Sequence, residues 1–166
     1  ELKKVNKLIA KKNLILNKIY NLNKTLMNDF GIKNPKIALA GINPHAGESG
    51  MISNDDEKYL KPVVKSLNNK KVNIIGPISG DSIINKLNLK KFDAFIFTFH
   101  DQALIPFKIL SNYEGVNFTS NLDIIRVSPS HGTAEDIKNI KNANSKSLLN
   151  CFRILNTIYT NRNKNC

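Results

Sequence analysis

The chain has no apolar run approaching the ~18 residues that a membrane-spanning helix needs, so no membrane partner is expected. Its first residues, Glu1-Leu2-Lys3-Lys4, do not lead into a long apolar stretch, which argues against a signal peptide. Cysteine is scarce. Cys151 and Cys166 have no C-x-x-C spacing, and one of them is the last residue. That pattern argues against a structural disulfide and suits a reducing, cytoplasmic setting. Arginine is equally scarce, with Arg126, Arg153 and Arg162 alone, so the net charge of +12 is almost wholly lysine. A basic chain invites a nucleic-acid partner. Here the lysines come with abundant asparagine and isoleucine throughout, and no basic block is interleaved with aromatics. The charge therefore reads as compositional drift, which could equally serve to attract small phosphorylated anions.

Three familiar site motifs are also missing. There is no G-x-G-x-x-G, no G-x-x-x-x-G-K-[ST] and no G-x-S-x-G, so a Rossmann site, a P-loop and a hydrolase elbow are unsupported. What is present is a 41% hydrophobic chain of 166 residues. That suffices for one domain with a core but is short for a complete two-lobed enzyme.

Residues 3–28 predict one long amphipathic helix, with Leu8, Ile9, Ile15, Leu16, Ile19, Leu22 and Leu26 on its apolar stripe. Gly31 closes it and Pro35 opens the next element. Short apolar runs at 36–40, 72–75, 92–99, 116–119 and 124–127 predict strands, the run Phe92 to Phe99 most strongly. Helices are expected from Asp55-Asp56 to about Asn68, from Asp81 or Ser82 to about Leu87, and from Ser145 to Thr160. The last should turn Leu148, Leu149, Phe152, Leu155 and Ile158 inward, and residues 161–166 should fray. Strands alternating with helices indicate an α/β architecture.

The three histidines, His45, His100 and His131, each follow an apolar strand. In open α/β sheets, ligands bind at the carboxyl ends of strands. A lone histidine is more simply a hydrogen-bonded surface or core residue, but three at equivalent strand ends leave both readings open. Histidines with carboxylates and an open position suit zinc, manganese, cobalt or iron. Asp101 follows His100 and could act as an acid or base, or orient the imidazole. Asp81 reads most simply as a helix N-cap. Lys108 and Arg126, placed in loops or strand ends, could each hold a phosphate or carboxylate, and an arginine in an apolar strand needs a partner.

Taken together, the segments resemble those of a known family. Gly41-Ile42-Asn43-Pro44-His45-Ala46-Gly47-Glu48, Gly76-Pro77-Ile78-Ser79-Gly80-Asp81-Ser82, His100-Asp101-Gln102, Gly115-Val116-Asn117-Phe118-Thr119, Ile125-Arg126-Val127-Ser128 and His131-Gly132-Thr133-Ala134 follow in order. They are similar to segments of the 4-hydroxythreonine-4-phosphate dehydrogenase family of pyridoxal phosphate biosynthesis, across the C-terminal half of its subunit.

The resemblance implies a three-layer α/β fold of the isocitrate and isopropylmalate dehydrogenase type, with residues 1–166 forming only its C-terminal portion. It implies a divalent metal (zinc, magnesium, cobalt or manganese) on His45 and His100. It places Lys108, Asn117 and Arg126 on a small phosphorylated substrate, and His131, Gly132, Thr133 and Ala134 on NAD or NADP. Asp81 and Asp101 become catalytic candidates. It also implies a homodimer with the metal site shared across the interface.

The family's third metal histidine and its His-Thr pair would fall before Glu1. Two neutral imidazoles alone should therefore bind an ion weakly. Ser49 and Ala103 replace family glycines, Ile105-Pro106 replaces an earlier proline, and Glu135 to Asn139 departs from the family's L-[DE]-L-A-G. These departures keep open a related dehydrogenase of 4-phospho-threonate, 4-phospho-erythronate or a cyclic diol, and an inactive basic fragment.

Overall fold

The computed structural model describes residues 1–130 and 144–164. At its centre lies β1 (Ile37–Ala40), whose residues Ile37, Ala38, Leu39 and Ala40 are 0–1% exposed. A strand covered on both faces reads as an unbroken apolar run, as this one does. It pairs in parallel with β2 (Ile74–Ile78) on one side and β3 (Ala94–Ile96) on the other, giving the order β2-β1-β3. Alternation along β1 separates two cores. Ile37 and Leu39 pack with Leu60, Val63, Leu67 and Ile74, whereas Ala38 and Ala40 pack with Ile83 and Phe92.

The helices α1 (Leu2–Ile9), α2 (Lys12–Asn28) and α3 (Lys61–Asn69) supply the first core. The single helix expected over residues 3–28 is thus two helices, broken where Lys11 leaves helical geometry at ψ 79°. Ile9 of α1 and Ile19 of α2 are both buried in the first core, at 5% and 3% exposure.

Beyond β2, α4 (Lys86–Lys91) begins later than expected, and its cap is Asn85, not Asp81. Asn85 Oδ1 accepts from the Leu87 and Asn88 amides at 3.0 and 2.9 Å. The strand expected over 92–99 shrinks to β3, whose ladder with β1 ends at the Leu39–Ile96 pair. A helix absent from the sequence reading follows, α5 (His100–Ser111), with Pro106 inside it. Interior proline argues against a helix in sequence. Lys108 therefore sits on a helix and not in a loop.

A separate antiparallel ribbon joins β4 (Val116–Thr119) to β5 (Arg126–Pro129), two residues later than the run 124–127 suggested. The last helix, α6 (Lys146–Lys164), continues past Thr160, so residues 161–164 are helical instead of frayed. Its inner face also differs from expectation. Ser147, Cys151 and Ile158 are buried, while Leu148, Leu149 and Phe152 are 49%, 54% and 64% exposed. Polar ties set this rotation. Ser147 Oγ donates to the Gly115 carbonyl, and the Ser130 amide donates to Ser147 Oγ at 3.3 Å.

At the far end of α6, Arg162 forms a two-pronged pair with Asp29, Nε to Oδ1 at 2.8 Å and Nη2 to Oδ2 at 3.0 Å. The pair holds the arginine's pKa above its ordinary value, chiefly through the hydrogen bonds to Asp29. Asp29 is 5% exposed and would be left as a buried charge without it. Arg162→Ala is expected to lower the unfolding free energy by about 3 kcal/mol, measured by urea denaturation. Arg162→Lys should recover less than half of that, because an ammonium lacks the planar fork.

A candidate metal and phosphate site at the strand ends

Because β1, β2 and β3 run parallel, their carboxyl ends lie on one edge of the sheet. The segments that leave that edge are Gly41 to His45 after β1, Ser79 to Asp81 after β2, and Phe97 to His100 after β3. With β1 central, the loop of His45 is flanked by those of Asp81 and His100. The fold thus brings three expected site residues to the position where open α/β sheets bind ligands.

His45 sits in an unusual segment. Within Pro44–Gly50, His45, Ala46, Gly47, Glu48 and Ser49 all have positive φ, between 44° and 77°. For residues with a Cβ, left-handed geometry costs roughly 1–2 kcal/mol each, so neighbours must hold the turn. Gly47 is obligatory here, since a Cβ would run into the Ser53 carbonyl. The amides of Met51 and Ile52 close the turn on the carbonyls of Glu48 and Gly47, each at 3.1 Å. Its entrance is tied to Asp56, which is fully buried. Asp56 is a residue that sequence reasoning took only as a helix start.

Asp81 is exposed and accepts from Ser79 Oγ at 2.5 Å. That hydrogen bond, ahead of the attraction of His45, holds its carboxyl below the ordinary value. Gly80, next to Asp81, lies against Gln102 of α5, whose Nε2 would be 2.8 Å from a Cβ there. The Asp81 loop therefore touches the first turn of the helix that carries His100. His100 Nδ1 lies 2.8 Å from Asp101 Oδ1. Donation from Nδ1–H to that carboxylate would leave Nε2 as the ring's lone-pair nitrogen.

On the ribbon, Asn117 pairs with Ser128 and Thr119 with Arg126. Strand alternation puts these four on one face. Phe118 faces the other way and meets Phe30 edge-on at 5.6 Å. Arg126 Nη1 donates to Thr119 Oγ1 at 2.9 Å, supplying the partner a strand arginine was expected to need. Lys108 Nζ donates to the Ser130 carbonyl at 2.5 Å, which fastens α5 to the ribbon. An ammonium keeps further N–H donors for a ligand.

His100, Lys108 and Asn117 line one cavity of about 910 Å³. Arg126 lies beside it on the ribbon face that Asn117 shares. His45 is associated with Asp81 and not with the cavity wall. His131, Gly132, Thr133 and Ala134 lie outside the described residues.

Two exposed imidazoles at neighbouring strand ends have the right donor chemistry for a divalent ion. Among the described residues, however, no three His, Cys, Asp or Glu side chains come together as a set able to hold one. The fit is that of a partial ligand set.

The sequence profile of the family described as pyridoxal phosphate biosynthetic protein PdxA matches residues 1–155. The chain is 35% identical over 153 residues to the 4-hydroxythreonine-4-phosphate dehydrogenase of Bacteroides thetaiotaomicron, covering 92% of this chain and 42% of that relative. The crystal structure of 4-hydroxythreonine-4-phosphate dehydrogenase from Klebsiella pneumoniae superposes with a TM-score of 0.73 at 33% identity, over 91% of this chain and 45% of that one. A terephthalate 1,2-cis-dihydrodiol dehydrogenase from Burkholderia xenovorans matches with a TM-score of 0.67 at 28% identity, over 91% and 48%. The chain spans less than half the length of each of these relatives.

The Ser79 contact gives a direct expectation. Ser79→Ala should move the titration of Asp81 upward toward the ordinary carboxylate value, followed by carboxyl ¹³C NMR. The sign follows from the depressed pKa. Any stabilisation from ionised Asp81 is present at neutral pH and is lost as pH falls through its folded-state pKa. An unchanged titration would show that Ser79 does not set it.

Proposed function

The chain belongs to the pyridoxal phosphate biosynthetic protein PdxA family, and from that premise we propose that it forms the C-terminal part of a dehydrogenase subunit. The reaction is oxidation of 4-phosphooxy-L-threonine at C3 to 2-amino-3-oxo-4-phosphooxybutanoate, a β-keto acid that loses carbon dioxide to give 3-amino-2-oxopropyl phosphate. The observation that supports this best is that His100, at a strand end, shares one cavity with Lys108 of α5 and Asn117 of the ribbon, in a chain that carries the family's segments in order.

When bound, the nicotinamide of NAD or NADP supplies the hydride acceptor, and a divalent ion supplies Lewis acidity at the alcohol oxygen. His45 and His100 would hold that ion. The remaining ligands would come from outside the described residues, including a second copy of the subunit. Exposed Ile105 and Ile109 on α5, 62% and 74% accessible, and the outward leucines of α6 are apolar surface that such a subunit contact could cover.

The chain's own groups divide the remaining work. Lys108, Asn117 and Arg126 hold the phosphate, Arg126 with a two-pronged grip. Asp101 fixes the His100 ring so that Nε2 faces outward. Asp81, an exposed carboxylate that accepts from Ser79 at the end of β2, would take the alcohol proton. His131, Gly132, Thr133 and Ala134, which lie outside the described residues, would meet the nucleotide.

A second reading keeps the chemistry and changes the substrate to a phosphorylated aldonate or a cyclic diol. The likeness to the cis-dihydrodiol dehydrogenase favours it, whereas the Lys108, Asn117 and Arg126 grouping favours a phosphate. In the full-length subunit, Lys108→Ala and Arg126→Ala should each raise KM for 4-phosphooxy-L-threonine about 10- to 100-fold with little change in kcat, as loss of a charge-assisted hydrogen bond of roughly 1.5–3 kcal/mol implies. Steady-state kinetics decides between the readings. Turnover of 4-phospho-threonate or a cis-diol without turnover of phosphooxy-threonine would establish the second.

A further inference from the structure

The left-handed turn that carries His45 needs something to hold it, and the neighbouring contacts single out one side chain. Asp56 is 0% exposed. Its Oδ1 accepts from the Ile42 amide at 2.7 Å, and its Oδ2 accepts from the Asn43 amide and from Asn43 Nδ2, both at 3.2 Å. The same carboxylate fills the inside of the loop. A Cβ on Gly41 would come within 3.0 Å of Oδ1, and one on Gly47 within 3.6 Å of Oδ2.

Asp56 does not act as a helix cap. The Asp56–Leu60 turn that leads into α3 has no side-chain cap, and the carboxylate reaches back 13 and 14 residues instead. Among the described residues it forms no ion pair. A buried carboxylate without a cation is held by N–H donors, and those donors belong to the two residues that enter the Pro44–Gly50 turn.

We propose that Asp56 is a positioning residue: it fixes residues 42–43 so that the chain must enter the left-handed turn and present His45 at the strand edge. The importance of the position rests on the reading of His45 as a metal ligand, while the holding of the turn does not. An acid here is required by acceptor count. Asparagine matches the shape, but whichever way its amide is oriented, it places an NH₂ group against N–H donors.

The test is amide hydrogen exchange and histidine NMR on the 166-residue chain carrying Asp56→Asn. The amides of Ile42, Met51 and Ile52 are expected to exchange at least ~10-fold faster, the shift that loss of about 1.4 kcal/mol of local protection gives. Ile37 and Val72, bonded to the Asn73 and Leu67 carbonyls, should keep their protection. The His45 ring resonances should shift and those of His100 should not. Unchanged exchange at residues 51 and 52, or equal acceleration at Ile37 and Val72, would overturn the proposal, the latter by making Asp56 an ordinary stability residue. If Asp56→Asn does not fold, Asn43→Ala, which removes only the Nδ2 bond, must loosen the same amides selectively or the proposal fails. If exchange behaves as expected but His45→Ala leaves zinc binding by the full-length subunit unaltered, the ligand reading falls and the role of Asp56 stands.

Discussion

The parallel pairing of β1 with both its neighbours is the constraint on which everything else depends. Four small or branched apolar residues, Ile37 to Ala40, are buried on both faces and hydrogen-bonded on both edges. Parallel strands leave a sheet at the same edge, so this pairing decides that the loops of His45, Asp81 and His100 emerge together. Loss of the β1–β3 register would separate the two histidines, however well each loop kept its own shape. The alanines matter as much as the larger residues. Ala38 and Ala40 leave room for Phe92 and Ile83 on the second face, which brings the chain back under the sheet toward β3.

The site at that edge is assembled from parts with different mechanical support. His45 is the most constrained, in a left-handed turn wrapped around a buried carboxylate. His100 is steered by its sequence neighbour Asp101 and by the start of α5. Of the phosphate-binding candidates, Asn117 and Arg126 lie on a two-stranded ribbon, to which α5 is tied by the third, Lys108, and α6 by Ser147. The three candidate side chains are exposed, open to an anionic ligand of the kind proposed. The charge of +12 would draw such a ligand toward any face of the molecule. In the proposed function, selectivity would come from Asn117 and Arg126 on one ribbon face together with Lys108 of α5.

Much of this was legible in the sequence, and the misreadings have physical causes. The run KIALA read as a candidate buried strand, and the loop motifs after it carried both the family resemblance and the ligand candidates. Proline concealed α5, because Pro106 falls inside the helix, where its missing N–H argues against helix in sequence. The leucines of α6 suggested an inner face, but hydrogen bonds from Ser147 and the Arg162–Asp29 pair turned the helix the other way. Those are contacts between residues far apart in sequence, which periodicity cannot reveal. Asp56 went unread for the same reason. Beside Asp55 and before an apolar run it has the signature of a helix start, and only the folded loop shows its carboxylate engaged 13 residues upstream. Asp81, expected from local pattern to cap a helix, instead sits free of α4 beside Ser79, because Asn85 takes the cap.

The central claim is that one ion can engage His45 and His100 together. Manganese(II) titration of the chain, followed by broadening of the histidine ring resonances in NMR, tests it directly. The account predicts that the signals of His45 and His100 broaden together, with one common midpoint, at the weak affinity expected of a partial ligand set. Broadening of one without the other, or two separate midpoints, would contradict it.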